Sequence, residues 1–163
     1  MKKDKIDKII DDWRRERPEL DPSPMEVVGR MLIIAKFLEK RLEEYLKPFG
    51  LSAWSFDLLA TLRRQGEPFT LTPSQLSDEM MLSSGAMTNR IDRLEAAGYV
   101  ERTHDPNDRR GYLISLSESG RELIDRAIEA RFQEAKEAIN SLSKKEISNL
   151  NSLHKTLIEE LSK

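Results

Sequence analysis

Ile6, Ile9, Ile10 and Trp13 recur three and four positions apart, so the chain opens on a short amphipathic helix. Pro18, Pro22 and Pro24 in "RPELDPSP" forbid its continuation. A second stripe, Val28, Leu32, Ala35, Leu42 and Tyr45, predicts a long helix over about residues 24–46. "KPFGLS" breaks it, and Ser52 is placed to cap a helix running to about Arg64. After the loop "RQGEPF", Thr72, Pro73 and Gln75 fit the N-cap, N1 and N3 positions of a capping box, predicting a short helix. The turn "MLSS" leads into a further helix, about Ser84 to Ala97, stopped by Gly98. "YVERT" and "YLISL" read as strands flanking a polar stretch, His104–Gly111, expected to form a long hairpin tip. Ser117 then caps a long helix to about Ser141. Ser143 and Glu146 form a capping box that opens a last helix striped by Ile147, Leu150, Leu153, Leu157 and Leu161.

The predicted fold is mainly α. A short capped helix, a tight turn, a second helix and a two-stranded ribbon is the order of a winged helix-turn-helix, which lays one helix in the DNA major groove and extends its ribbon toward the flanking minor groove. The expected division is an N-terminal extension over residues 1–23, a winged helix-turn-helix DNA-binding region over 51–116, and a helical dimerisation region drawn from 24–50 and 117–163.

At about 100° per residue, Met87, Ile91 and Leu94 share one side of the 84–97 helix and face a core. The opposite side carries Gly85, Asn89 and Arg93, with Thr88 and Asp92 on its shoulders. Ser84, Gly85, Ala86, Thr88 and Asn89 make its N-terminal half small and polar. Small residues let a helix approach base edges, and Ser, Thr and Asn offer donors and acceptors without carrying charge. Arg93 is long enough to reach a guanine or a phosphate. Ser74, at the start of the preceding short helix, is a further candidate phosphate contact. The bland reading is a solvated helix whose serines only cap it.

In "HDPNDRRG", Asp105, Pro106, Asn107 and Asp108 build a turn beside Arg109 and Arg110. These arginines either pair with the turn's own aspartates or serve as a brace and a minor-groove probe. The formal net charge of −2 argues against a generally polyanion-seeking surface. Five arginines between Thr88 and Arg110 are matched by five acids. Any DNA binding must therefore rest on local geometry. The absence of cysteine excludes thiol redox sensing, and His104 and His154 are too far apart in sequence to suggest a metal site. No signal peptide, membrane span, cofactor motif or catalytic constellation is recognisable, so the expectation is a cytoplasmic protein that is not an enzyme.

"LSSGAMTNRIDRLEAAGYVERTHDPNDRRGYLISLSESGREL" resembles the core of the MarR family of bacterial transcriptional regulators. The matching positions are Thr88, Asp92, Arg93, Leu94, Glu95, Gly98, Arg102, Asp105, Asp108, Arg109, Arg110, Leu116 and Gly120. The resemblance implies a homodimer whose first and last two helices interlock. It also implies a pseudo-palindromic double-stranded operator, and release by a small ligand. It assigns Asp92 and Asp108 to bracing the wing, with a wing arginine pairing with Asp92.

"WRRERPELDPSPMEVVGR", "WSFDLLATLRR" and "SSGAMTNRIDRLE" are similar to the urate-responsive, PecS-like branch of that family. The branch pattern implies ligand contacts at Trp13, Asp57 and Arg90. On the residues alone, Arg90 flanks the apolar stripe of its helix, about 70° from its centre. A guanidinium so placed needs an anionic or acceptor partner. The expected effector is urate or another small anionic or aromatic compound, and the plainer alternative is an Asp57–Arg90 structural ion pair. The competing function is a helical dimerisation protein without specific DNA binding.

Overall fold

Helix starts in this chain are set by side-chain oxygens that accept otherwise orphaned amides. In the computed structural model, Asp4 caps α1 (Lys5–Glu16) through a capping box with Asp7. Helix α2 (Ser23–Leu46) follows, with a 3₁₀ turn at Lys47–Phe49. Ser52 caps α3 (Ala53–Arg63). The short strand β1 (Thr70–Leu71) precedes α4 (Pro73–Glu79), which starts in the expected box of Thr72 and Gln75 with Pro73 in its first turn. Ser83 caps α5 (Ser84–Ala96), and Gly98 beyond its end adopts φ 77. Strands β2 (Val100–Asp105) and β3 (Asp108–Leu116) form the ribbon. Ser117 caps α6 (Glu118–Ala138), and Ser143 with Glu146 opens α7 (Lys144–Leu161). The structure describes residues 3–106 and 108–163, with only the backbone of Arg109 and Arg110. Among the described residues no helix is long and apolar enough to cross a membrane.

The chain divides into two compact units, one ending at Leu42 and the other running from Glu43 to Lys163. In the first, Ile6 and Ile10 of α1 are buried. A Cβ on Gly29 of α2 would stand 2.8 Å from Ile6 Cδ1, so the close approach of these helices needs glycine there. Arg30 donates to Asp4 at 2.8 Å and to Asp7 at 2.5 Å, tying the two helices together.

In the second unit, Leu58, Leu59 and Leu62 of α3 are fully buried, as are Leu76 of α4 and Ile124 and Ala127 of α6. Helix α3 packs on α6, α4 on α5, and the sheet beneath contributes Val100 and Ile114. The sheet is antiparallel in the order β1-β3-β2. Strand β1 was not expected: two residues are too few for periodicity to register, yet Leu71 pairs with Ile114 and is buried.

The ribbon corrects one expectation. His104–Gly111 is not a long loop: the strands continue through these polar residues until Asp105 pairs with Asp108, with a shift in register between His104 and Asp105. A ladder is built from backbone N–H and C=O groups, so exposed polar side chains did not mark its end.

Gly120 marks the tightest junction. Its would-be Cβ falls 1.9 Å from the Tyr99 carbonyl oxygen, a backbone atom that cannot swing aside. Ser117 Oγ donates to Gly98 O at 2.6 Å in the same corner. Gly120→Ala is expected to lose about 3 kcal/mol or more, whereas Gly85→Ala, in the first turn of α5 with nothing within 4 Å of its Cβ, should cost nothing and gain at most about 0.5 kcal/mol. Urea unfolding of both variants checks the contrast.

Candidate nucleic-acid interface

The face of α5 divides as its spacing requires. Met87, Ile91 and Leu94 are buried, while Ser84, Gly85, Ala86, Thr88, Asn89, Asp92 and Arg93 are exposed. Ser83 Oγ accepts the Ala86 amide at 3.5 Å, and the first backbone bond of the helix runs from Met87 N to Ser83 O. The Ser84 and Gly85 amides therefore have no intrahelical acceptor and point out of the N-terminus, where a phosphate is favoured. Thr88 donates its hydroxyl to Ser84 O at 3.0 Å, leaving its oxygen lone pairs as an outward acceptor. Arg93 has no carboxylate partner among the described residues.

Ser74 is exposed in the first turn of α4. It shares with Ser77, Ser84 and Thr88 a cleft of about 340 Å³ between α4 and α5. Three of the residues expected to meet DNA thus lie along one surface cleft, although 14 positions separate Ser74 from Thr88 in the sequence.

The ribbon is tied to α5 by Arg102 of β2. Its guanidinium pairs with Asp92 and, at 3.1 Å, with Glu95 one turn further along the helix. Each such partly exposed pair is worth about 0.2–1 kcal/mol, yet together they fix the angle between wing and helix. Arg102 was visible in the sequence as a motif position, but its pairing with Asp92 was not: sequence spacing does not say which strand residue faces which helix turn. Asp108 lies against Gly111, where a Cβ would sit 3.0 Å from Asp108 Oδ2. The roles expected of the Arg109 and Arg110 side chains lie outside the described residues. On the ribbon His104 and Tyr112 stack with ring centres 4.9 Å apart.

Behind α5 lies a second feature. Asp57 of α3 and Arg90 of α5 line one cavity of about 540 Å³, with Phe56, Arg64, Glu79 and Met81. The Arg90 guanidinium sits 5.5 Å from the Trp54 ring centre. Asp57 and Arg90 share this cavity without forming an ion pair. Partial burial pushes the Asp57 carboxyl above the usual carboxylate range, opposed by the positive charges of Arg131, Arg90 and Arg64. Arg64 and Glu79 are pocket residues that the sequence did not single out, because Arg64 reads as a helix terminus and Glu79 as a solvated acid. Trp13 belongs to the first unit, where it is half exposed on α1.

Residues 49–111 match the model of the MarR family. The HTH-type transcriptional regulator PecS of Dickeya dadantii is 36% identical over 148 residues, covering 91% of this chain and 89% of that protein. Among solved structures, a mutant of the E. coli regulator MarR complexed with operator DNA superposes with a TM-score of 0.72 at 28% identity, over 83% of this chain and 96% of the other. AbsC, a MarR family transcriptional regulator from Streptomyces coelicolor, gives a TM-score of 0.79 at 26% identity, over 88% and 97% of the two chains. An exposed small-residue helix, a wing fastened to it by Arg102 and these relatives agree on one identity. The chain belongs to the MarR family of winged helix-turn-helix transcriptional regulators: it is a sequence-specific DNA-binding protein and not an enzyme.

Proposed function

We propose that the protein is a ligand-responsive repressor that binds a pseudo-palindromic operator as a homodimer in the cytoplasm and is released by a small anionic or aromatic effector. The observation that carries the DNA reading is the open polar face of α5, continuous with Ser74 across the α4–α5 cleft. In this reading Ser74, Ser84 and Gly85 meet phosphates. Thr88, Asn89 and Arg93 reach base edges, and Arg109 and Arg110 extend toward the minor groove. Asp92 and Asp108 hold the wing in place.

The dimer reading assigns residues 24–50 and 117–163 to the subunit interface. It draws support from α7, an 18-residue helix in which no residue is buried. Leu153 is 63% exposed and Leu161 85%. Burying one such side chain is worth about 1.5–3 kcal/mol, so a second copy covering the stripe would supply the packing that α7 otherwise lacks. A C2 pair then presents two copies of α5 to successive major grooves about 34 Å apart.

The effector reading places a planar anion against Arg90, with Asp57 beside it. Urate is one member of that class. Because Arg90 sits on the helix that enters the groove, an anion bound there favours a dimer state in which the two α5 helices are out of step with the DNA.

Anisotropy titrations on the DNA flanking the protein's own coding region, with competitor DNA and a salt series, test the interface. Arg93→Ala should lose about 10- to 100-fold in affinity, or flatten the salt slope by about one unit if its contact is a phosphate. Arg102→Met should weaken specific binding most, by loosening the wing's attachment, with a smaller loss of non-specific binding because Asp92 and Glu95 lose their neutralising charge. Arg90→Ala should still bind the operator but no longer release it on addition of urate, in the same titration. An Arg90→Ala protein that urate releases as readily as the wild type removes this residue from the effector site.

A further inference from the structure

Glu79 sits where an isolated helix disfavours an acid. It is the last residue of α4, beside Asp78, and that turn holds no basic residue. A helix C-terminus is the negative end of the summed peptide dipoles and disfavours a carboxylate. Arg64, the C-cap residue of α3, answers it by donating from Nη2 to Glu79 Oε2. Both side chains line the cavity that holds Asp57 and Arg90. One of the two guanidinium groups lining the pocket is thus already occupied by a carboxylate of the same chain.

We propose that Glu79 is a resident anion of this pocket and that an incoming anionic effector competes with it for Arg64. This rests on the effector reading above and adds its regulation. The Arg64 and Glu79 side chains remain 57% and 48% exposed, so their tie is screened by water and shifts an equilibrium by at most about fivefold. An anion that also gains Arg90, held over Trp54, displaces it readily. The freed carboxylate then faces the carbonyl end of α4 with its charge no longer neutralised.

The consequence reaches the DNA-facing helix through the backbone. Helix α4 has seven residues, and the turn after it hangs on its last carbonyls: Met81 N donates to Asp78 O at 3.3 Å and Leu82 N to Ser77 O at 2.9 Å. Met81 holds φ 51 in that turn, an unfavourable conformation for a side-chain-bearing residue. Weakening the last turn of α4 therefore loosens the segment that sets where Ser83 starts α5.

Calorimetric titration of the full-length protein with urate and, separately, benzoate tests the competition. The proteins are wild type, Glu79→Gln, Arg64→Gln, the double variant Arg64→Gln/Glu79→Gln, and Arg90→Gln, each checked for folding by circular dichroism. Glu79→Gln is expected to bind the probe anion about two- to fivefold more tightly, and the gain should vanish when Arg64 is also Gln. Binding by Glu79→Gln where wild type binds neither probe would support the proposal more strongly still. A gain that survives in the Arg64→Gln background marks simple charge removal and overturns it. No gain, with Arg90→Gln abolishing binding, overturns the competition but leaves the effector reading standing. If neither wild type nor Glu79→Gln binds either probe, both fall together.

Discussion

The inward grip of Met87, Ile91 and Leu94 on the core holds the rest of the functional geometry in place. Three apolar anchors on one side of a 13-residue helix fix its rotation, and rotation decides which residues look outward. Truncating one such anchor would cost about 2–5 kcal/mol. The outward residues, small and polar, contribute little to holding the helix and so are free to be chosen for what they meet. The wing depends on the same rotation, because Arg102 finds Asp92 and Glu95 only if both face the ribbon.

That anchoring also explains how one helix serves two surfaces. Arg90 lies between the buried stripe and the exposed face, half-buried beside Trp54 and open to the cavity it shares with Asp57. In the proposed effector reading, a charge in that position senses what enters the pocket while belonging to the helix proposed to read DNA. Binding at one surface can then bias the other without a long chain of intermediates, since both are attached to the same rigid body. The exposed Arg64–Glu79 tie adds a weak, screened interaction at the turn between α4 and α5, where small energies suffice to shift a short helix.

The units differ in how they are held. Residues from Glu43 onward enclose a core built from α3, α4, α5, α6 and the sheet, whereas among the described residues of the first unit Ile6 and Ile10 are the buried side chains and ion pairs such as Arg30 with Asp4 and Asp7 accompany them. Val27, Leu32 and Phe37 on α2 and Phe132 on α6 stay exposed alongside the bare stripe of α7. A chain with so much apolar helix surface uncovered has a reason to associate.

Local sequence wrote the helices, because caps and periodicity act over a few residues: Ser52, Thr72, Ser117 and Ser143 each begin the helix that local chemistry requires. It also determined the two faces of α5 and, through the motif from Thr88 to Gly120, the family. Tertiary structure alone decided contacts between residues that spacing cannot relate. It gave Asp92 its partner Arg102 and added β1 to the sheet. It carried the polar strands to Asp105 and Asp108, and set Arg64 and Glu79 around the Asp57–Arg90 cavity. The difference is one of range: caps and amphipathic stripes are written within one or two helical turns, whereas ion pairs and pocket walls depend on where separate elements come to rest.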